Sequence, residues 1–257
     1  MKVFGLLGEH LGHSYSPIIQ KKLFELKGLD YDYKLIEIPS NKIEECLTDL
    51  RNGIYAGFNV TIPYKKEVMK YLDEISDEAK VIGAVNTIKC ENGKLIGYNT
   101  DYYGFKDELK YYNVDVENRV CYVLGTGGAS LAVKKVLKDL GANIVSVSRT
   151  KTRDTITYDE LNVNSNDVIV NTTPVGMYPN IDNSPLDKNI AQNAYKIVDI
   201  IFNPSITKLM SYNKNSYNGL LMLIGQAAKA QDIWLGKHYD IDYSKMLKYV
   251  EGVILGE

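Results

Sequence analysis

The segment Arg119–Ser130, RVCYVLGTGGAS, joins a short apolar run to a glycine-rich turn. The run Val120–Leu124 is apolar throughout, as expected of a strand that is covered on both faces of a parallel sheet. Gly125 and Gly127 follow this strand directly, and a helical pattern extends over Ala129–Leu140. In such a turn the first glycine permits a tight bend, the second lets the backbone approach a pyrophosphate, and the helix N-terminus attracts the anion. The order of strand, loop and helix therefore favours a nucleotide site over a plain glycine turn.

Three further apolar runs follow this segment: Ile144–Val147, Val168–Asn171 and Ile197–Ile201. Each is too continuously apolar for a half-exposed sheet, and helical patterns lie between or after most of them. The alternation predicts a Rossmann domain with a parallel sheet over residues 102–219.

Upstream of this domain, strand-like and helical patterns alternate from the N-terminus, which predicts a mostly parallel α/β sheet in residues 1–101. The segments AVNTIKC and KLIGYN, joined by ENG, indicate a hairpin within it. The last helices, in residues 220–257, are expected to pack back onto this first domain and complete it. The predicted fold is therefore α/β, with a cleft between two domains.

Basic and hydroxyl side chains follow the second Rossmann strand in the stretch SVSRTKTR. An NAD enzyme usually carries an Asp or Glu here to bind the ribose 2′-hydroxyl, and this stretch has neither. Arg149 and Arg153, with Ser148, Thr150 and Thr152, instead make a cationic loop that suits a 2′-phosphate. A solvated basic loop is the alternative, but the pattern favours NADP as the cofactor.

A lysine follows a buried strand in the stretch GFNVTIPYKKE, Gly57–Glu67. Apolar residues alternate with polar ones until Pro63, which cannot continue the hydrogen-bond ladder of a central strand. Lys65 therefore lies just beyond the end of the strand. Asp101 follows another strand, so an ammonium and a carboxylate on separate loops could hold a proton at a reacting oxygen.

Further polar residues stand at strand ends or helix starts, where α/β proteins bind their ligands. Ser14 and Ser16 precede a proline at a predicted helix start, where Ser16 is either an N-cap alone or part of a carboxylate cradle. Asn86, Asn99 and Thr100 lie at strand ends or in the loops that follow. Each of these residues, taken alone, is equally typical of a surface turn.

The composition excludes several classes of partner. The chain of 257 residues has 30 basic and 32 acidic residues, interspersed, with a net charge of -2. This pattern offers no basic stripe to nucleic acid and no polybasic segment to a membrane surface. The longest apolar run, Leu220–Ile224, is far shorter than the ~20 residues of a membrane helix, and the N-terminus does not resemble a signal peptide. We therefore expect a small-molecule partner.

The cysteines Cys46, Cys90 and Cys121 are odd in number and in no paired spacing, which argues against disulfides and zinc. The histidines His10 and His13 lie three apart without a carboxylate or cysteine at ligand spacing. The sequence predicts a cytoplasmic protein without a metal.

A series of short motifs runs along the chain: GHSYSP, GFNVTIPYK, GAVNT, GYNTDYYG, GTGGAS, SRTKTR, NTTPVGM, DIIFNPSIT and NGLLMLIGQAA. In kind and in order they resemble those of the shikimate dehydrogenase family, NADP-dependent enzymes of aromatic amino-acid and chorismate biosynthesis. The resemblance covers nearly the whole chain. It implies reversible, NADPH-dependent reduction of 3-dehydroshikimate to shikimate by a monomer or homodimer.

The resemblance also implies roles for individual residues. Lys65 and Asp101 are the catalytic pair. They also bind the substrate, together with Ser14, Ser16, Thr61, Asn86, Phe202 and Gln226. The cofactor is bound by Asp77, Gly125, Thr126, Gly127, Gly128, Ala129, Ser130, Ser148, Arg149, Thr150, Arg153, Thr172, Ile200, Gly219 and Met222.

Three positions depart from the family's pattern. Phe202 replaces a tyrosine, Leu221 replaces a glycine and Lys208 replaces a proline. These changes bear on substrate affinity and loop geometry more than on the reaction. Two alternatives stay open: a quinate/shikimate dehydrogenase of broader specificity, and a non-catalytic NADPH-binding sensor with the same fold.

Overall fold

The structure is a computed structural model that describes residues 1–12 and 14–255. The chain divides into two compact units. The first unit combines Met1–Gly104 with Ile224–Glu257, and the second unit is Phe105–Leu223. The sequence predicts the boundaries between residues 101 and 102 and between residues 219 and 220. Both units combine helices with a sheet, so the predicted α/β class is confirmed.

The sheet of the first unit is mixed. Its strands are β1 (Val3–Gly8), β2 (Asp32–Glu37), β3 (Gly57–Val60), β4 (Glu74–Ile75), β5 (Thr87–Glu91) and β6 (Lys94–Tyr98), in the order β2-β1-β3-β5-β6-β4. β1 pairs in parallel with β2 and β3, and β4 with β6, whereas β5 is antiparallel to both its neighbours. The predicted hairpin is β5 with β6, closed by Asn92 and Gly93 at φ of 51° and 76°, as a tight two-residue turn requires.

The sheet of the second unit is parallel. Its strands are β7 (Val120–Leu124), β8 (Asn143–Val147), β9 (Val168–Asn171), β10 (Lys196–Asp199) and β11 (Ser216–Asn218), in the order β11-β10-β9-β7-β8. The short strand β11 has no apolar run and was not predicted. β10 ends at Asp199, earlier than predicted, because the Asp199 carboxylate accepts the N–H of Ile201 at 3.1 Å and draws the chain out of the sheet.

The helices of the described chain are α1 (Ser16–Leu26), α2 (Ile43–Arg51), α3 (Asp77–Ile82), α4 (Asp101–Tyr111), α5 (Gly128–Asp139), α6 (Lys188–Ala191), α7 (Leu220–Leu235) and α8 (Tyr243–Leu255). The helical turns predicted over residues 67–82 are interrupted by β4. After a 3-10 helix at Glu67–Tyr71, the N–H of Asp73 donates to the carbonyl of Leu95 at 3.0 Å, so the chain pairs with β6 instead of continuing the helix. Across the described residues, none of the helices has the length and apolarity to cross a bilayer.

Apolar side chains cover both faces of the first unit's sheet, because successive residues of a strand point to opposite faces. On one face, Phe4 of β1 packs with Phe24 of α1 and Trp234 of α7. On the other face, Leu7 of β1 packs with side chains of α2. Trp234 also donates its indole N–H to the carbonyl of Ile88 at 3.0 Å, which fixes α7 against β5.

Gly57→Ala should lower the free energy of unfolding by about 1–3 kcal/mol. A Cβ at this position would lie 2.4–2.8 Å from three atoms of the Trp234 indole, which is held in place by the packing around it. Urea unfolding followed by the fluorescence of Trp234, the only tryptophan, measures the loss. Gly12→Ala is the matched control, because a Cβ at Gly12 meets nothing within 4 Å. Equal stability of Gly57→Ala and the wild type would contradict the expectation.

Candidate active site

An ammonium and a carboxylate meet at one edge of the first unit's sheet. β3 and β6 run in the same direction, because each is antiparallel to β5, and they end at the same edge. Lys65 follows β3, and Asp101 follows β6 as the first residue of α4. The Lys65 Nζ lies 2.6 Å from Asp101 Oδ2, and the two side chains are 21% and 12% exposed. The pair that the sequence placed on separate loops is thus brought together.

Asn86 holds the other oxygen of the same carboxylate. It precedes β5, which begins at the edge where β3 and β6 end. Its Nδ2 donates to Asp101 Oδ1 at 2.9 Å, and its Oδ1 accepts the N–H of Thr100 at 2.7 Å. Because both carboxylate oxygens are engaged, the orientation of the Asp101 carboxylate and the direction of the Lys65 ammonium are set.

Hydroxyl groups stand after the first and third strands. Ser14 and Ser16 follow β1, and Thr61 follows β3, where its N–H donates to the carbonyl of Leu7 at 2.9 Å. The interpretation of Ser16 as the N-cap is wrong: α1 begins at Ser16, the N-cap is Tyr15, and the Tyr15 side chain makes no capping hydrogen bond. The Ser14 hydroxyl instead accepts the N–H of Ser16 at 3.2 Å. His13, in the same stretch, lies outside the described residues.

The remaining predicted substrate residues are spread over both units. Gln226 is half-buried on α7 in the first unit, and Phe202 is half-buried after β10 in the second. Asn99, also at a strand end, donates its amide to the carbonyl of Ala84 at 2.9 Å. The Asn99 amide therefore stabilises the loop at Ala84 by a hydrogen bond to the backbone.

The glycine loop of the second unit has the form that the sequence predicts. Gly125 has φ of +94°, and a Cβ there would lie 2.8 Å from Cγ2 of Thr173. Gly127 is the N-cap of α5, and a Cβ at Gly127 or Gly128 would meet nothing within 4 Å. The space in front of the helix N-terminus is thus open to an anion. Ser130 is buried and donates its hydroxyl to the carbonyl of Gly127 at 2.6 Å, so it shapes the loop.

The basic loop after β8 is exposed at Arg149, Thr150 and Arg153. Within the part of the chain that the structure describes, no ion pair involves either arginine. The third cation, Lys151, is paired with Glu160, and this pairing, together with hydrogen bonds from the N–H and the hydroxyl of Thr157, lowers the pKa of the Glu160 carboxyl to about 2. Among the described residues, the two arginines thus lack the carboxylate partner that Lys151 has.

The other predicted cofactor residues differ in position. Thr172 donates its hydroxyl to the carbonyl of Leu124 at 2.6 Å, next to the glycine loop. Gly219 packs against Ile200, whose carbonyl oxygen would lie 2.1 Å from a Cβ at Gly219. Met222 is buried in the same unit. Asp77 belongs to the first unit, where its exposed carboxylate lies 3.6 Å from the Lys80 ammonium.

Sequence reasoning missed a buried polar network at the ends of β9 and β10. The Asp199 carboxylate accepts from the Asn171 amide at 2.9 Å and from the Thr207 hydroxyl at 2.7 Å. Burial raises the pKa of Asp199 to about 6, although hydrogen bonds from Thr207, Ile201 and Asn171 oppose the shift. The signal in the sequence was an acidic residue, Asp199, in the middle of the apolar run Ile197–Ile201. The network fixes the loops that carry Thr172 and Ile200.

Two of the three residues that depart from the family's pattern, Leu221 and Lys208, have environments that suit their side chains. Leu221 is fully buried in α7. Lys208 is exposed and donates its ammonium to the carbonyl of Asp182 at 2.6 Å. In residues 1–12 and 14–255, His, Cys, Asp and Glu side chains form no group of three that could hold a metal ion.

Known proteins match the chain along most of its length. A family model described as the shikimate dehydrogenase substrate binding domain matches residues 6–88. Shikimate dehydrogenase (NADP(+)) of Clostridium beijerinckii is 42% identical over 248 residues, which cover 91% of this chain and 92% of that protein. The chain belongs to the shikimate dehydrogenase family.

Solved structures of shikimate dehydrogenases share the fold. A chorismate mutase/shikimate 5-dehydrogenase fusion protein from Clostridium acetobutylicum has a TM-score of 0.95 at 41% identity, covering 99% of this chain and 98% of that chain. Shikimate 5-dehydrogenase from Thermus thermophilus, solved in complex with NADP(H) and shikimate, has a TM-score of 0.86 at 30% identity, covering 96% and 97%. The family that the motifs indicated is confirmed.

Asp199→Asn should change how stability depends on pH. The folded pKa of Asp199, about 6, lies above the ordinary value of 3.8, so the folded wild type loses stability as pH rises through this window. Asparagine keeps the acceptor for Asn171 and can donate to Thr207, but it has no charge to bury. The variant should therefore gain on the order of 2 kcal/mol over the wild type at pH 8, and the gain should shrink towards pH 4.

Thermal unfolding between pH 4 and 8 measures this difference. Asp182→Asn is the control, because Asp182 is an exposed aspartate of the same unit. A constant difference between Asp199→Asn and the wild type across this range would show that Asp199 does not titrate there.

Proposed function

We propose that the protein is an oxidoreductase that reduces 3-dehydroshikimate reversibly to shikimate with NADPH. The observation that carries this proposal is the Lys65–Asp101 pair, 2.6 Å apart at the edge of the sheet, with Asn86 on the second carboxylate oxygen. Membership of the shikimate dehydrogenase family supplies the substrate class.

Lys65 acts on the reacting oxygen of the substrate. When bound, NADPH supplies the hydride that reduces the C3 carbonyl. Negative charge then develops on the carbonyl oxygen, and the Lys65 ammonium stabilises this charge and donates a proton to the oxygen. In the reverse direction the Lys65 amine accepts that proton. Asp101 holds the ammonium in place throughout, because its carboxylate is itself fixed by Asn86.

The polar side chains that the family's motifs assign to the substrate suit a hydroxylated carboxylic acid. Hydroxyl and amide side chains can bind its carboxylate and ring hydroxyls by hydrogen bonds. In the first unit these are Ser14, Ser16, Thr61, Asn86 and Gln226. Phe202 contributes an aromatic ring without a hydroxyl, so the substrate has one polar partner fewer than with a tyrosine there.

The residues of the second unit fit NADP. The open helix N-terminus at Gly127 and Gly128 accommodates a pyrophosphate, since no Cβ fills the space and the N–H groups point outwards. Arg149 and Arg153 suit the 2′-phosphate. The remaining cofactor residues that we propose are Asp77 of the first unit and, in the second unit, Gly125, Thr126, Ala129, Ser130, Ser148, Thr150, Thr172, Ile200, Gly219 and Met222.

A cytoplasmic location is part of the proposal. Cys46, Cys90 and Cys121 are all free thiols. Free thiols persist in a reducing compartment, so the assays below should contain a reductant.

Absorbance at the NADPH band, with shikimate and each coenzyme, tests the function directly. Turnover of shikimate with NADP supports the proposal. Comparable turnover of quinate would indicate the enzyme of broader specificity, and NADPH binding without turnover of either acid would indicate a sensor.

Lys65→Ala should lower kcat by roughly 10²–10⁴, because it removes the positioned proton donor. The KM for NADP should stay within about twofold, since the cofactor residues lie mainly in the other unit. Lys66→Ala is the matched control, an exposed lysine next in the chain, and it should keep the wild-type rate. Wild-type turnover in Lys65→Ala would show that Lys65 is not the proton donor.

Arg149→Ala should raise the KM for NADP by roughly one to two decades, because each charge-assisted contact to a phosphate contributes about 1.5–3 kcal/mol. The KM for NAD should change much less, because NAD has no 2′-phosphate. Lys151→Ala removes the same charge from the same loop, but this charge is already paired with Glu160, so its effect should be small. Equal losses for NAD and NADP in Arg149→Ala would refute the assignment.

A further inference from the structure

The orientation of the Asn86 carboxamide is fixed from its oxygen side. Its Oδ1 accepts the N–H of Thr100 at 2.7 Å and lies 3.1 Å from the hydroxyl oxygens of Thr100 and Thr87. Because a backbone N–H can only donate, this atom must be the carbonyl oxygen. The NH₂ group therefore faces Asp101 and donates to its Oδ1 at 2.9 Å.

Thr87 and Asn59 continue the hydrogen bonds behind Asn86. Asn59 Nδ2 donates to Thr87 Oγ1 at 3.0 Å, so Thr87 is left with its one hydrogen to donate. That hydrogen points to Asn86 Oδ1 or to the Thr100 hydroxyl, each 3.1 Å away. Both routes end on Asn86, because the Thr100 hydroxyl also lies 3.1 Å from its Oδ1.

Two glutamines and a lysine extend the chain of bonds across the first unit. Gln20 Nε2 donates to Asn59 Oδ1 at 3.1 Å, and Gln231 Nε2 donates to Gln20 Oε1 at 2.8 Å. Lys27 Nζ donates to Gln231 Oε1 at 2.9 Å. Burial lowers the pKa of Lys27 to about 8, with the charge of Asp232 opposing the shift, so Lys27 is an ammonium at pH 7.

We call this series of hydrogen-bonded side chains the amide chain; its members, in order, are Lys27, Gln231, Gln20, Asn59, Thr87, Asn86 and Asp101. In each of its hydrogen bonds the donor lies on the Lys27 side and the acceptor on the Asp101 side. It starts at a group that only donates, the Lys27 ammonium, and ends at one that only accepts, the carboxylate. Its intermediate members are buried: Gln231, Gln20, Asn59, Thr87 and Asn86. Hydrogen bonds aligned head to tail in a low-dielectric interior strengthen one another, and here the alignment favours the negative charge of Asp101.

We propose that Thr87 and Asn59 are positioning residues for the reaction. They hold the Asn86 amide, and through it the Asp101 carboxylate, in the orientation that pairs with Lys65. The inference rests on the function proposed above. It assigns a kinetic role to two side chains that act only through another residue.

Thr87→Val tests this role, because valine has the shape of threonine without the hydroxyl. kcat should fall roughly five- to tenfold, the equivalent of one hydrogen bond, while the KM for NADP stays within about twofold. Thr87→Ser restores the hydroxyl and should restore most of kcat. If Thr87→Val does not fold, Thr87→Cys keeps a weak donor and should give an intermediate loss.

Tyr33→Phe is the matched control. The buried Tyr33 hydroxyl donates to Asn59 Oδ1 at 2.7 Å, as a side branch that is not in series between Lys27 and Asp101. The variant loses a buried hydrogen bond of the same network, so its melting temperature should fall while kcat stays within about twofold. Equal losses of kcat in Tyr33→Phe and Thr87→Val would overturn the inference, because they would indicate general loosening.

A second readout does not depend on turnover. The rate at which the Lys65 amine reacts with acetic anhydride, followed by mass spectrometry, reports how firmly Asp101 holds it. This rate should rise several-fold in Thr87→Val and not in Tyr33→Phe. If the wild type turns over no shikimate, the proposed function fails and the labelling alone decides the inference. Unchanged labelling in Thr87→Val refutes it.

Discussion

Burying a carboxylate costs free energy unless its oxygens have hydrogen-bond partners, and Asp101 sets this requirement for the first unit. Lys65 and Asn86 supply the partners from two other segments of the chain. Three segments must therefore meet at one edge of the sheet. The mixed pairing achieves this, because β3 and β6 end at that edge and the antiparallel β5 begins there. A wholly parallel sheet would start β5 at the opposite edge.

The second unit meets a similar requirement with a parallel sheet. There Asp199 ends β10, and neighbouring segments supply its donors, Asn171 at the end of β9 and Thr207 in the loop that follows β10. These hydrogen bonds hold the loops of Thr172 and Ile200 in place. Close packing also shapes this region at Gly219, where the absence of a side chain lets the backbone lie against Ile200. Buried polar groups thus shape the loops in both units.

The parts of the fold that follow from local patterns could be predicted. The Gly125 turn, the hairpin at Asn92 and Gly93 and the apolar strands of the second unit each have a signal within a few residues, and the structure contains them. The strand β11 has no such signal. It exists because β10 offers a free edge, and that is a property of the tertiary structure.

The candidate site was predictable only in part for the same reason. Lys65 and Asp101 stand at recognisable strand ends, whereas the amide chain joins residues that nothing in the local sequence connects. Asn59 appears in the sequence as one polar residue of an alternating strand, and Gln20 as one polar residue of an amphipathic helix. The helix start at Ser16 was misread because a serine before a proline is typical of an N-cap, while here the hydroxyl of Ser14 satisfies the Ser16 N–H.

The amide chain also limits which substitutions its residues can accept during evolution. Gln20 and Gln231 are 211 residues apart but share a buried hydrogen bond. Replacing one of them by an apolar residue leaves the other amide buried without that partner, at a cost of about 1–3 kcal/mol, whereas replacing both can be nearly neutral. Substitutions at these two positions are therefore expected to arise together in related proteins, so that a contact inside one molecule becomes a covariation between distant columns of an alignment.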